Sequence, residues 1–232
     1  MGLSKKTFAP SDIDWSGSER LGDGTNIDAD VFRATIPSFS DKDIVLKVFR
    51  PYTPNQHTPR SMISRRQYTP FDREYEAYSV IQNDEEAKSD PPVAKAFFWF
   101  EFSAGSQLGE HMHLNESAKV IVKEFIRETS AGFDLYCLQK MMKHRQILNR
   151  LQIYVTDIHL ANYVNGILVD LSAAWVLPQV DGLRGHNIED QLYYLQRSVL
   201  QHYNKLELGP PPQPRLVKKK WDQLMDEQKE MV

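Results

Sequence analysis

The sequence has 232 residues and a single cysteine, Cys137, so it cannot form an internal disulfide bond. We therefore expect a reducing, intracellular compartment, either cytoplasmic or nuclear. No apolar run is long enough to span a bilayer, and the first residues lack the apolar stretch of a signal peptide. Lys6 stands where a myristoylation motif needs serine or threonine. From these absences we expect no association with a membrane.

The sequence also lacks a strong charge of either sign. The net charge is −3, so no global electrostatic attraction favours nucleic acid as a partner. Hydrophobic residues make up 41% of the chain and aromatic residues 11%, which is typical of a folded protein. A chain of this length can form one large domain or two lobes that share a cleft.

The order of sequence patterns predicts an α+β fold in which strands come first and helices second. Residues 1–18 are polar and are expected to form a flexible N-terminal arm. We then predict a β-rich N-lobe over 19–128 and a reduced, helical C-lobe over 129–232 with a charged tail. The predicted strands are 30–36, 43–50, 93–102 and 119–126, and the predicted helices are 70–82, 133–150 and 187–206. Between the second and third of these helices, Asn165-Gly166 is a strong signal for a two-residue hairpin.

Two features of the predicted N-lobe suit phosphate binding. Gly22 and Gly24 flank one residue, so backbone amides there could approach a phosphate closely, although an ordinary turn is the commoner explanation of such a pair. Lys47 lies in the strand Ile44–Phe49, on the same face as Val45. A lysine in so apolar a strand needs a partner or a route to water. An edge-strand lysine that points outward is the alternative.

The helix predicted to begin at Pro70 offers a partner for Lys47. Helical periodicity places Glu74 on the same side as Phe71 and Tyr78, whereas Glu76 points away from them. A carboxylate on the apolar face of a helix is costly unless it is paired. We therefore expect Glu74 to pair with Lys47 and Glu76 to be solvated.

A third group of polar residues surrounds the predicted hairpin. Asp157 and Asn162 lie five positions apart, and an apolar strand after the hairpin ends at Asp170. Carboxylate and amide oxygens are the ligands that Mg²⁺ prefers. The alternative is that Asp157 caps a turn and Asp170 merely ends a strand.

Taken in chain order, these parts resemble those of the protein-kinase-like superfamily. Over residues 20–175 the chain is similar to fungal kinase-like proteins that are labelled as related to a kinetochore subunit. The resemblance implies a hinge between the lobes at 120–126, ATP and Mg²⁺ as cofactors, and a role for each matching residue. These residues are Gly22 and Gly24 in a phosphate loop, Lys47 on the nucleotide phosphates with Glu74 and Val45 beside it, the backbone around Glu124 against adenine, Asp157 as the catalytic aspartate, and Asn162 and Asp170 as metal ligands.

The chain departs from the kinase pattern at several positions. The third glycine of the phosphate loop is missing, and Val155-Thr156 replaces the usual His-Arg before Asp157. His159 stands in place of the catalytic-loop lysine, a pattern similar to that of aminoglycoside and choline phosphotransferases. Asp170-Leu171-Ser172 lacks the glycine of the metal-binding triplet. No Ala-Pro-Glu segment follows, so we expect a truncated C-lobe and no conventional docking of a peptide substrate.

Two functions fit this pattern. The first is an ATP- and Mg²⁺-dependent phosphotransferase that acts on a hydroxyl acceptor, either small or non-standard. In it Asp157 orients the acceptor, while Lys47, His159 and Mg²⁺ offset the developing charge. The second is a weak or inactive pseudokinase that serves as a protein-interaction module. A dinucleotide-binding fold is excluded because no helix and βαβ unit follow the glycine pair.

Overall fold

The computed structural model describes residues 2–21, 28–52, 69–128, 135–158, 160–176, 193–194, 196–197, 199–201, 205 and 213–230. The chain divides into two compact units. The first comprises Met1–Lys88 with Ala94–Ile126, and the second comprises Ser89–Val93 with Arg127–Val232. Among the described helices, none is both long enough and apolar enough to cross a membrane.

The first unit is built on an antiparallel sheet of five strands with a helix on one face. In chain order the elements are β1 (Asp14–Leu21), β2 (Ala29–Ile36), β3 (Ser40–Phe49), α1 (Pro70–Ile81), α2 (Glu85–Ser89), β4 (Ala96–Phe102), β5 (Gln107–Leu108), β6 (Met112–His113) and β7 (Ala118–Glu124). The two short strands β5 and β6 form a separate hairpin, and the five long strands lie in the order β1-β2-β3-β7-β4.

Strand β3 shows why the two faces of this sheet differ. Its residues Ile44, Leu46 and Val48 are buried in a cluster that also contains Phe32 and Phe100 from neighbouring strands. Residues between them point to the opposite face because successive side chains of a strand alternate. On that face the Phe49 ring contacts the Phe71 ring of α1, with centroids 5.5 Å apart. The alternation expected for β3 is therefore confirmed, and Lys47 lies on the face that α1 covers.

Local sequence signals explain where α1 begins. The Thr69 hydroxyl accepts a hydrogen bond from Asp72 N at 3.0 Å, and Thr69 N donates to Asp72 Oδ2 at 3.2 Å. This reciprocal capping box satisfies two amides at the helix start, and Pro70 fits the first turn because its missing N–H would have no partner there. The prediction of a helix beginning at Pro70 is confirmed, and it ends at Ile81.

The expectation that residues 1–18 form an arm outside the fold is wrong. Residues from Asp14 onward form β1, the edge strand that pairs with β2. Leu3 and Ile13 are buried, and Trp99 N donates to Ser4 O at 3.1 Å. An edge strand with one solvated face has a polar composition, which resembles that of a loop when only the sequence is available.

The second unit combines helices with two small strand pairs. Its elements are α3 (Leu135–Arg150), β8 (Ile153–Val155), β9 (Tyr163–Val164), β10 (Ile167–Leu168), β11 (Ala174–Val176) and α4 (Pro214–Glu230). Strand β8 pairs with β11 and β9 with β10, both antiparallel. A buried cluster joins α3 and α4, and its members are Leu138, Met141, Val199, Leu200, Val217, Trp221 and Leu224. The helix predicted over 187–206 lies largely outside the described residues.

Arg145 lies within the apolar side of α3 and is completely buried. Burial lowers the pKa of its guanidinium, and the nearby hydroxyls of Tyr163 and Tyr154 act in the opposite direction. Burial raises the pKa of Tyr163, because in both residues it disfavours the charged form. The charged residue that interrupts the apolar periodicity of this helix is thus part of the interior.

The predicted two-residue hairpin is confirmed at the turn between β9 and β10. Asn165 and Gly166 have φ angles of 50° and 74°, so both lie in the left-handed region that a type I′ turn requires. A Cβ atom added to Gly166 would lie 2.8 Å from the carbonyl oxygen of Cys137 in α3. The turn therefore needs glycine for its conformation and for its close approach to the helix.

We expect Gly166→Ala to destabilise the protein by about 2–4 kcal/mol, because left-handed strain adds to a clash with backbone. Gly105→Ala is the matched control, since Gly105 has a φ of 82° and an added Cβ would meet no atom within 4 Å. Strain alone should cost about 1–2 kcal/mol there. Urea denaturation measures both values. Equal losses in the two variants would show that the approach to Cys137 has no energetic effect.

Candidate functional site

The first unit contains a buried ion pair between β3 and α1. Lys47 Nζ lies 2.7 Å from Glu74 Oε2, and the two side chains are 2% and 0% exposed. The capping box fixes the start of α1, and the periodicity of the helix then directs Glu74 toward the sheet. Glu76, two positions further on, is half-buried and lies outside this pair. The structure thus brings together the two residues whose sequence positions predicted a pair.

A second lysine, which no sequence pattern indicated, binds the same carboxylate. Lys123 Nζ in β7 lies 2.8 Å from Glu74 Oε1, and its side chain is 3% exposed. Strands β3 and β7 are neighbours in which Val45 pairs with Lys123 and Lys47 with Ile121. The two lysines therefore project diagonally from adjacent strands on one face of the sheet. Each oxygen of Glu74 receives one ammonium group.

The structure shows the surroundings of Glu124, whose neighbouring backbone is predicted to contact adenine. The Glu124 backbone N–H donates to Lys95 O at 2.9 Å, and its side-chain Oε1 accepts from Lys95 N at 2.6 Å. Glu124 is also the last residue of β7, where it pairs with Ile44. Its amide is therefore engaged within the sheet. The backbone that follows the strand, at Phe125 and Ile126, has no assigned secondary structure and is the remaining part of the predicted hinge.

Gly22 and Gly24 lie outside the described residues, but both flanks of their segment are defined. Asp30 in β2 has a fully buried carboxylate that receives two hydrogen bonds of 2.9 Å from Arg50. Arg20, at the end of β1, also binds this carboxylate. These charge-assisted bonds connect the end of β1, the start of β2 and the residue after β3, all of them near the glycine pair in sequence or in the sheet. They hold the two ends of the segment in a defined position.

The second unit holds the aspartate and asparagine that the sequence predicted as a pair of functional residues. Asn162 Nδ2 donates to Asp157 O at 3.0 Å and to Asp157 Oδ2 at 3.1 Å. A short 3₁₀ turn, Leu160–Asn162, produces this return of the chain. Both hydrogen bonds use the amide nitrogen, so the amide oxygen of Asn162 faces away from Asp157. His159 lies outside the described residues.

Asp170 follows β10 and is oriented by its neighbours. Its Oδ1 accepts hydrogen bonds from the Ser172 backbone N and from Ser172 Oγ, both at 2.7 Å. The carboxylate of Asp170 and the amide oxygen of Asn162 are the hard oxygen donors that suit Mg²⁺. In the described part of the chain, no three His, Cys, Asp or Glu side chains cluster tightly enough to hold a metal ion.

The fold and these residues define a class of protein. A lysine of the third strand that pairs with a glutamate of the following helix belongs to the N-lobe of protein kinases. An Asp and an Asn five residues apart, followed by an Asp after a hairpin, also occur in this order in protein kinases. The chain has a protein-kinase-like α+β fold.

Comparison with known families gives a more particular assignment. The model of the family described as "Kinetochore Sim4 complex subunit FTA2" matches residues 6–175. Because this match covers well over half of the chain, the protein belongs to that family. No curated protein sequence matches the chain.

Solved structures similar to this one include two kinase-related proteins. One is an Stt7 homologue from Micromonas algae soaked with ATP, with 18% identity and a TM-score of 0.49, over 96% of this chain and 68% of the other. Another is the Rio2 kinase from Chaetomium thermophilum in an ADP/Mg²⁺-phosphoaspartate complex, with 12% identity and a TM-score of 0.44. That match covers 88% of this chain and 60% of the kinase.

The shared carboxylate makes a prediction for stability. Glu74→Gln should destabilise the protein by about 3–5 kcal/mol, because it removes the negative charge that two buried ammonium groups share. Glu116→Gln, at an exposed position before β7, is the control and should change the free energy of unfolding by less than about 0.5 kcal/mol. Urea denaturation at constant pH tests both. A loss below about 1 kcal/mol for Glu74→Gln would mean that the ion pairs are not energetically coupled to the fold.

Proposed function

We propose that this protein binds ATP with Mg²⁺ and transfers a phosphoryl group to a hydroxyl acceptor that is small or otherwise unlike a docked peptide. The observation that carries the proposal is the Lys47–Glu74 ion pair, at 2.7 Å in a buried setting. In phosphoryl transfer the protein contributes mainly position and charge, and this pair holds an ammonium group in a fixed place for phosphate oxygens. A conventional peptide acceptor is not expected, because no Ala-Pro-Glu segment follows Asp170.

Each remaining residue has a role that suits its chemistry. Asp157 would orient the acceptor hydroxyl and accept its proton, and the hydrogen bond from Asn162 Nδ2 to Asp157 Oδ2 holds its carboxylate in place. Asn162 and Asp170 would hold Mg²⁺, which when bound neutralises charge on the phosphates. His159 would offset charge at the transferred group, and Gly22 and Gly24 would approach the phosphates through their amides.

The alternative is a kinase-like module that binds protein partners and has little or no activity. The family to which the chain belongs is described as a subunit of a kinetochore complex, which favours a nuclear location and an interaction role. The replacement of the usual His-Arg by Val155-Thr156 points in the same direction. Nucleotide binding separates the two functions experimentally, because only the first requires it.

Binding of ATP–Mg²⁺ should raise the melting temperature, since a ligand that binds only the folded state stabilises it by mass action. At ligand concentrations about tenfold above the dissociation constant we expect a rise of about 3–5 °C. The rise should depend on the metal and be lost in Asp170→Asn. Asp222→Asn, on an exposed position of α4, is the control and should keep it. Absence of any shift at millimolar ATP with Mg²⁺ or Mn²⁺ would favour the interaction module.

Lys47→Met should weaken binding of ATP–Mg²⁺ at least about tenfold, because it removes a charged contact to phosphate. The fold should survive, since methionine fills a similar apolar volume and Glu74 keeps its bond to Lys123. Lys42→Met, an exposed change on the same strand, is the matched control. Calorimetric titration measures the dissociation constants. Unchanged affinity in Lys47→Met would remove this lysine from the proposed site.

A further inference from the structure

Lys123 contacts α1 at two successive turns of the helix. Its ammonium group lies 2.8 Å from Glu74 Oε1 and 5.7 Å from the centroid of the Tyr78 ring. Glu74 and Tyr78 are four residues apart and so occupy neighbouring positions on one helix face. One side chain from the sheet therefore holds the side of α1 that carries the carboxylate.

Lys123 and Lys47 make separate contacts with Glu74. The two lysines come from different strands and bind different oxygens of Glu74. When one lysine leaves to bind another group, the other still holds the carboxylate against the sheet. In the interior, where charges interact strongly, such a bond opposes separation of the helix from the sheet.

We propose that Lys123 is a positioning residue that locks α1 against the sheet through Glu74 before any nucleotide binds. The lock keeps Lys47 oriented while leaving its ammonium group able to contact phosphate. The functional role of Lys123 rests on the proposed nucleotide site, but its hold on α1 through Glu74 exists in the chain without nucleotide. Placement of α1 then needs no separate activating event.

The strand that carries Lys123 also supplies a matched control. Lys119 lies four residues earlier in β7, on the same face, and also pairs with α1. Its ammonium group is 3.7 Å from Asp72 Oδ1, and the two side chains are 43% and 28% exposed. An exposed pair of this kind contributes little to stability. Lys119→Met and Lys123→Met therefore remove the same group from the same strand face, but only the second removes a buried tether.

Hydrogen exchange of backbone amides in the full chain, without nucleotide, tests the lock. In Lys123→Met the amides from Glu74 to Ile81 should exchange about tenfold faster or more, because the helix opens locally more often. Lys119→Met should leave them unchanged, and Lys123→Arg should restore slow exchange because it keeps a cation at that place. Exchange as slow in Lys123→Met as in Lys119→Met would overturn the proposal. So would an acceleration spread equally over β2 and β4, which indicates a general loss of stability.

A second exchange experiment tests the link to nucleotide. If ATP–Mg²⁺ binds through Lys47, its addition should slow exchange in α1 by a smaller factor in Lys123→Met than in the unmodified chain, because a Lys47 that engages phosphate then leaves Glu74 without the second lysine that would hold α1. Equal factors would overturn the link between the lock and the site. If ATP–Mg²⁺ produced no thermal shift, that result would refute only the proposed function. The comparison of exchange rates without nucleotide would still decide whether Lys123 holds the helix.

Discussion

The buried carboxylate of Glu74 is the constraint on which the candidate site depends. Two lysines on the helix-facing side of the sheet, Lys47 and Lys123, would be costly there without it, since a buried ammonium group needs a partner. The carboxylate in turn reaches them only because the Thr69 cap fixes where α1 begins. The positions of these three charges therefore depend on one another, because they require both the register of β3 with β7 and the rotation of α1 that directs Glu74 toward the sheet.

Polar residues in the two units are held in place by different means. In the first unit the charges are buried, and ion pairs fix their positions. In the second unit Asp157 is exposed and Asn162 is half-buried, so backbone geometry and short hydrogen bonds orient them. A hairpin that accepts only left-handed residues at Asn165 and Gly166 makes the chain return between Asn162 and Asp170. Under the proposed function this difference would suit a lysine that must stay fixed and oxygen donors that must remain accessible to water, metal and phosphate.

Features set by local sequence could be predicted, and features set by distant packing could not. Helical periodicity distinguished Glu74 from Glu76, and Asn165-Gly166 specified its hairpin. Lys123 escaped prediction because Lys119 lies on the same strand face, and only the position of α1 decides which of them is buried. Strand β1 was missed because an edge strand is polar in composition. Pairing of β8 with β11 was missed because it joins segments separated by a hairpin and carries no local signal.

Stability alone is a poor explanation for the three buried charges of Lys47, Glu74 and Lys123. Replacing a buried ion pair by apolar side chains of similar volume is often neutral or stabilising, so a fold that served only as a scaffold would lose little without them. Arg145, buried in α3, shows that this chain places charge in its interior elsewhere, so burial by itself does not identify a site. What distinguishes Glu74 is that it divides its two oxygens between two lysines, so that under the proposed function the helix stays held when Lys47 engages phosphate. The proposed nucleotide site has a use for this arrangement, whereas a binding surface for proteins does not require it.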